Sequence, residues 1–244
     1  MGDRKASAAF RPFIVAIDGP AGAGKSSASR LLAGRLAFAL VDTGALYRAV
    51  ALAAARKGIA FDDGPALGIL LATLRIRLEP TPEGSSNQRL FLGDEDVSSE
   101  IRAPAMSLGA SAVSALSVVR EGLLELQRRL ATAPGKRGAV LEGRDIGTVV
   151  FPDADIKFFL TASAQVRARR RFEELVAKGE AVTPEGVLAE QERRDRNDSQ
   201  RAIAPLTPAA DALLIDTGDL SLEAVVDVLA ATVQARMKAT GRCP

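Results

Sequence analysis

The 244-residue sequence has no histidine and no tryptophan, and its one cysteine, Cys243, lies next to the C-terminus. Without imidazole there are no histidine-dependent triads, no imidazole zinc sites and no histidine acid–base chemistry at neutral pH. A lone cysteine excludes a disulfide framework and a thiolate metal cluster, and fits a reducing compartment. Aromatics are 4% of residues and the formal net charge is +2. That is too little stacking surface and too little excess charge for nucleic acid to be an expected partner. No run of 18 apolar residues occurs, and the first dozen residues lack the apolar stretch and small-residue cleavage site of an export signal. Membrane is therefore not an expected partner either, and a cytoplasmic location is the expectation. What is present, 47% hydrophobic and 25% charged residues with mean hydropathy +0.09, describes a globular chain long enough for one large domain or a core with a small accessory one.

Residues 1–11 carry no apolar periodicity and read as a tail. Phe13-Ile-Val-Ala-Ile17 is a short apolar run closed by glycines, the pattern of a strand buried on both faces. A helix is expected over Lys25 to Leu36, where Ala28, Leu31, Leu32 and Leu36 keep helical spacing. The strand–helix rhythm recurs at Ala39-Leu-Val41, Gly138-Ala-Val-Leu141, Ile156-Lys-Phe-Phe-Leu160 and Ala212-Leu-Leu-Ile215, with helices expected near Leu46 to Arg56, over Ala164 to Lys178 and from Ser221. Five such strands indicate an α/β fold with a parallel sheet covered by helices on both faces. The rhythm breaks over 62–105, where the alternating runs Leu74-Arg-Ile-Arg-Leu78 and Gln88-Arg-Leu-Phe-Leu92 flank the turn-rich Pro80 to Asn87. This reads as a half-exposed antiparallel hairpin in a small inserted domain. The core is then 12–61 and 106–240.

Residues Gly19, Pro20, Ala21, Gly22, Ala23, Gly24, Lys25 and Ser26 satisfy G-x-x-x-x-G-K-[ST] between a strand and a helix. Backbone N–H groups there cradle phosphate oxygens, Lys25 reaches the β- and γ-phosphates, and the Ser26 hydroxyl suits Mg²⁺. The motif predicts a nucleoside triphosphate site, and leaves open whether the γ-phosphate goes to water or to a second substrate.

A second anionic substrate needs cations at the carboxyl ends of the other strands, where open α/β sheets bind ligands. Thr43, Tyr47 and Arg48 follow the second strand; Thr43 reads equally as a ligand or a helix N-cap, and Arg48 as a phosphate ligand or a solvated helix residue. Glu142-Gly143-Arg144-Asp145 ends a later strand, its glycines allowing a sharp turn into the crevice. The arginine-rich stretch Arg193 to Arg201 lies between helical patterns and reads as a lid or as a solvated face. Arg120 alone means little, and Arg167 to Arg171 reads mainly as a solvated helix face.

Taken together, IDGPAGAGKS, VDTGALYR, LGDEDVSSEIR, EGRDIGTVVFPDA and RRDRNDSQRAIAPLTPAADA, in this order from Phe13 to Leu222, resemble the bacterial-type cytidylate kinases of the nucleoside monophosphate kinase group. The last two stretches are far more specific than the phosphate loop. The resemblance implies a P-loop NTPase-type five-stranded parallel sheet, an inserted CMP-binding domain at 62–105 and a helical lid at about 164–204. It implies that Ser111, Arg120 and Asp145 read cytosine, that Arg48, Arg144 and Arg201 hold the CMP phosphate, and that Arg194 and Asp198 hold the ribose. Thr43, Tyr47 and Gly143 would line the same pocket, Ser27 would join the ATP-phosphate site, and Lys25, Arg144, Arg194 and Arg201 would act in catalysis. Glu142 stands where some relatives have Asp, keeping the negative charge. Ser26-Ser27 stands where some have Gly-Thr, which leaves metal ligation to Ser26 or to a water-mediated arrangement.

The implied reaction is transfer of the ATP γ-phosphoryl group to CMP or dCMP with Mg²⁺ as cofactor, in a monomer whose partners are small nucleotides. No general base is needed, because the acceptor phosphate is already ionised. The alternatives are a kinase for another monophosphate such as UMP or AMP, a P-loop NTPase switch, and a non-catalytic triphosphate-binding protein.

Overall fold

A computed structural model describes residues 11–79, 88–133 and 135–242. Cys243, the turn at Pro80 to Asn87 and residues 1–10 of the expected tail lie outside the described residues. Arg11 is tied down, donating to the Asp153 carbonyl at 2.7 Å and pairing with its carboxylate at 3.0 Å.

Five parallel strands form the main sheet in the order β2-β6-β1-β7-β8: β1 Phe13–Asp18, β2 Ala39–Asp42, β6 Gly138–Glu142, β7 Ile156–Thr161 and β8 Leu213–Asp216. All six residues of β1 are buried, because its alternate side chains feed two cores. Phe13, Val15 and Ile17 pack with Leu32 of α1 (Lys25–Leu36) and with Val226, Leu229 and Val233 of α8 (Leu222–Ala239). Ile14 and Ala16 face the opposite layer with Val41, Leu141, Val150 and Ala131, the last residue of α5 (Ser117–Ala131). This double burial explains why β1 reads as an unbroken apolar run.

The region 62–105 holds α3 (Gly64–Thr73) and a three-stranded antiparallel sheet of β3 (Ile76–Glu79), β4 (Arg89–Leu92) and β5 (Glu95–Asp96). Ile76 pairs with Leu92 and Leu78 with Leu90, so the two expected alternating runs do pair. The helix α3 is not among the expected elements: Leu67, Leu70 and Leu71 keep helical spacing, but exposed Ile69 blurs the apolar face, and the start is marked by Asp63 accepting from the Ala66 N–H at 3.0 Å and by proline in the first turn. Leu67, Leu70, Leu90 and Ile101 share one core with Leu46 and Val50 of α2 (Thr43–Arg56), Val113 of α4 (Pro104–Val113) and Leu123 of α5. This second core stands beside the β2 edge, to which Gln88 is bound through the Leu40 carbonyl and the Asp42 N–H.

The remaining helices are α6 (Ala164–Ala177) and α7 (Pro184–Gln200). The Arg193–Arg201 stretch, expected between helices, is instead the last two turns of α7 with Arg201 as its C-cap. It has no apolar stripe to announce a helix, but Asp195 pairs with Arg167 of α6 and Asp198 with Arg144, so ion pairs to other elements do what apolar periodicity does elsewhere. No helix among the described residues is long and apolar enough to cross a membrane.

Sheet register sets the site. Asp42 and Ile17 both pair with Glu142, and Asp18 pairs with Phe159, so the carboxyl ends of β2, β6, β1 and β7 finish at one level. Gly19 then turns the chain with φ +144°, and an added Cβ would lie 2.0 Å from the Leu160 carbonyl oxygen. A Gly19→Ala variant is expected to lose about 3 kcal/mol of stability through strain and that clash. Urea unfolding checks this: the midpoint should fall with the slope m unchanged.

Candidate active site

The loop from Gly19 to Gly24 delivers α1 with Gly24 in the left-handed region, φ +82°, and no side chain capping the helix. The first N–H groups of α1 are thus free for an anion. Lys25 is buried and donates to the Pro20 carbonyl at 2.6 Å. Burial and the neighbouring Arg144 push its ammonium well below the usual lysine range, so the site favours an anion that restores the charge. Glu142, at the end of β6, is equally buried; burial and Asp42 push its carboxyl up. The Ser26 hydroxyl donates to Glu142 Oε2 at 2.7 Å.

Asp42, not Thr43, is the N-cap of α2, accepting from the Ala45 N–H at 2.9 Å and from Arg48 Nη2 at 2.8 Å. Thr43 Oγ1 donates to the Glu142 carbonyl at 2.6 Å, which ties the start of α2 to the end of β6. After Glu142 the chain turns through Gly143, Arg144 and Asp145 into a single π-turn, Ile146–Val150. Asp18 fixes this turn: its two carboxylate oxygens accept the Ile146 and Gly147 N–H groups, each at 2.8 Å. Burial raises Asp18 to about 6 against these two bonds.

A cleft of about 680 Å³ opens above these strand ends. Gly22, Gly24, Lys25, Ser26 and Ser27 line one side, and Thr43, Tyr47, Arg48, Ser111, Arg120, Gly143, Arg144, Asp145, Arg194, Asp198 and Arg201 line the other. Ala21 also faces it, whereas Gly19, Pro20 and Ala23 stand behind the loop. Arg120 is buried, pairs with buried Asp145, donates to the Ser114 carbonyl at 3.0 Å and stacks over the Tyr47 ring at 5.7 Å. Arg144 Nε donates to Asp198 at 2.7 Å. Burial alone would raise Asp198, but Arg144, Arg201 and Arg194 outweigh it and hold the carboxyl low. Burial and like charge, from Arg144 on Arg194 and from Arg120 on Arg201, lower both guanidinium groups.

Among the described residues, three guanidinium groups keep buried N–H groups with no partner: Arg48 Nε, Arg194 Nε and Arg201 Nη2. Buried orphan donors on cations around one cleft call for an anionic ligand.

The expectation of a solvated face for Arg167 to Arg171 holds for exposed Arg169 and fails for Arg167, Arg170 and Arg171. Arg167 is 5% exposed and bonded to the Ala21 and Ala162 carbonyls, and Arg170 donates to the Thr217 carbonyl at 2.5 Å. At helical spacing, 167, 170 and 171 fall on the inner stripe of α6, where unpaired carbonyls of the phosphate loop and of the turn after β8 await donors. Arg171, with Glu174, also lines the cleft, as do Arg102 and Gln88 from the hairpin region. Nothing local in the sequence marks Ala21 or Thr217, which are distant along the chain from α6.

A sequence profile of the cytidylate kinase family matches residues 15–235. A protein named cytidylate kinase from Pelotomaculum thermopropionicum is 52% identical over 221 residues, covering 91% of this chain and 96% of that protein. The chain is 50% identical to one of the same name from Geobacter sulfurreducens, over 96% of this chain and 98% of that one. With one from Pseudomonas aeruginosa it shares 49% identity, over 88% and 93% respectively.

The environment of Asp18 makes stability depend on pH. Its carboxyl is raised from 3.8 to about 6 in the fold, so between those values the native state holds a proton that the unfolded chain has lost. The stabilisation this provides is fully present below about pH 4 and lost as pH rises through 6. Asp18→Asn is expected to remove a component of about 3 kcal/mol from the pH dependence over that window, read by urea unfolding at pH 4 and pH 7.

Proposed function

The chain belongs to the cytidylate kinase family, and from that premise we propose that it transfers the γ-phosphoryl group of ATP directly to the phosphate of CMP or dCMP. The observation that carries this reading is that Arg48, Arg194 and Arg201, each with a buried guanidinium N–H that has no partner among the described residues, line the same cleft as the phosphate loop. A loop that only hydrolysed ATP would leave those buried donors without a purpose.

In this reading the free N–H groups at the start of α1 and Lys25 hold the donor's β- and γ-phosphates. Arg48, Arg144 and Arg201 hold the acceptor phosphate opposite, and Arg194 with Asp198 holds the sugar. An acceptor phosphate oxygen bonds to the γ-phosphorus as the bond from the γ-phosphorus to the β–γ bridging oxygen breaks, giving CDP and ADP. The side chains' work is positioning and charge compensation as two anions meet, with Lys25 and Arg144 nearest the transferring group. No proton need be removed, in keeping with a site that has no histidine.

Mg²⁺ fits the oxygen donors beside the loop, the Ser26 hydroxyl and the Glu142 carboxylate, which are 2.7 Å apart. When bound, it supplies further neutralisation of donor phosphate charge. Ser26 and Glu142 would hold it, and Thr43 keeps Glu142 in place through the backbone bond of its hydroxyl.

For the base, the Arg120–Asp145 pair offers a cation and a carboxylate side by side, with Ser111 nearby on the cleft wall. Cytosine presents an amino donor for Asp145 and acceptors for Arg120 and Ser111, whereas uracil would turn a carbonyl towards Asp145. We assign CMP binding to 62–105 together with α4 and α5, which share its core and carry Ser111 and Arg120, the phosphate chemistry to the rest of the 12–61 and 106–240 core, and closure to a lid at about 164–204.

ADP release with MgATP against CMP, dCMP, UMP, AMP and no acceptor tests the reaction. Release should need CMP or dCMP, with UMP at least tenfold poorer in kcat/KM; equal release without acceptor overturns the reading. Arg144→Ala should lower kcat by about 10³-fold with the fold intact by circular dichroism. Asp145→Asn should cut kcat/KM for CMP by about 10- to 100-fold and narrow the CMP preference over UMP.

A further inference from the structure

Two side chains of the α6–α7 pair converge on a single carbonyl of the phosphate loop. Arg167 Nη1, from α6, donates to the Ala21 oxygen at 3.0 Å, and Gln191 Nε2, from α7, donates to the same oxygen at 2.9 Å. Both side chains belong to buried residues, 5% and 3% exposed. Arg167 is held by a fork to Asp195 of α7, with bonds of 3.0 and 2.6 Å, and by a bond of its Nε to the Ala162 carbonyl at 2.9 Å. The loop also lies against Arg167 sterically, since a Cβ added at Gly22 would sit 3.0 Å from Arg167 Cβ.

Gln191 and Asp195 are one turn apart on α7. Arg194 and Asp198 are one turn apart on the neighbouring stripe, about 60° around the helix, and Arg201 caps its end. One rigid helix thus carries the groups that grip the phosphate loop and the groups that face the acceptor side of the cleft. The buried amide bond of Gln191 and the charge-assisted bonds of Arg167 to Ala21 and Asp195 allow little slack, so a shift of the Ala21 peptide moves α7 and with it Arg194, Asp198 and Arg201.

We propose that Arg167, Gln191 and Asp195 are positioning residues that couple the donor-phosphate loop to the acceptor site through α7. Arg167 and Asp195 lie outside the cleft lining, and Gln191, which borders the cleft, spends its amide on the Ala21 carbonyl; the three act through the residues α7 presents. The inference rests on the reaction proposed above. It predicts that filling the loop tightens acceptor binding, and reciprocity then requires the acceptor to tighten donor binding by the same factor.

Calorimetric binding of CMP, with and without a saturating non-hydrolysable MgATP analogue, tests it on the intact protein. In the wild type the analogue should lower the CMP Kd about five- to tenfold, and CMP should lower the analogue's Kd equally. In Asp195→Asn and in Gln191→Leu the factor should fall below about 2, while each ligand's Kd measured alone moves less than the lost coupling. Asp195→Glu, which keeps the charge, should recover part of the factor. A merely structural role would weaken both ligands and leave their ratio intact. Gln191→Leu removes one amide and keeps the test open if Asp195→Asn does not fold. A wild type that binds CMP with no coupling, or folded variants that keep it, overturns the inference alone. A wild type that binds no CMP overturns the reaction itself and the coupling with it.

Discussion

The rest of the site depends on keeping many guanidinium groups charged and close together in a space of limited solvent access. Arg48, Arg120, Arg144, Arg194 and Arg201 all border one cleft, and unopposed they would repel one another and drive α7 away from the sheet. Carboxylates prevent this, one for each anchored arginine: Asp42 for Arg48, Asp145 for Arg120, Asp198 for Arg144, and Asp195 for Arg167 behind the loop. Each pairing uses part of the guanidinium fork. Arg48 spends Nη2 on Asp42, while its buried Nε has no partner among the described residues. Removing a partner from such a pair costs more than the pair contributes, because a buried charge is left behind.

The arrangement is possible because the sheet is parallel and its strands end in register. Aspartates and glutamates at strand ends, Asp18, Asp42 and Glu142, are delivered to one level and take on different tasks according to what lies above them. Asp18 accepts two backbone N–H groups and sets the turn that carries Arg144 and Asp145. Asp42 caps α2 and holds Arg48. Glu142 takes the Ser26 hydroxyl through its side chain and the Thr43 hydroxyl through its carbonyl, joining the phosphate loop to the acceptor wall. One backbone level thus sets donor and acceptor sides against each other, and a single-residue slip of β6 against β1 would separate them.

Much of this was legible in the sequence, for physical reasons that differ by element. The five strands are visible because burial on both faces forces unbroken apolar runs, and the phosphate loop because its glycines answer a backbone demand, as Gly19 does against Leu160. Four features were not legible. The helix α3 packs Leu67, Leu70 and Leu71 into the second core, but it is apolar on its exposed face too, at Ile69, so its stripe does not stand out and its start is set by the polar Asp63 cap. The second half of α7 is held by ion pairs and so carries no apolar period. Arg167 looks like any charged helix residue until the Ala21 carbonyl and Asp195 are brought to it. Thr43 was ambiguous between cap and ligand because the true cap, Asp42, closes the preceding strand. In each case the missing information is a long-range partner, or a local polar bond that hydrophobic patterning does not register.

In the proposed reading, in which Asp145 and Arg120 meet the base, selectivity follows from the same charge economy. Asp145 cannot be read as a free acceptor, since Arg120 already occupies one side of it and the Tyr47 ring covers the Arg120 guanidinium. What the pair presents to the cleft is a fixed alternation of negative and positive edges on a wall too buried for water to rearrange cheaply. A base that matches the alternation completes the network. One that reverses it leaves a buried carboxylate facing a carbonyl, and the loss is then set by desolvation as well as by the missing hydrogen bond. A neutral amide at 145 would soften that penalty for the wrong base while weakening the hold on Arg120, so discrimination and positioning of the arginine rise and fall together.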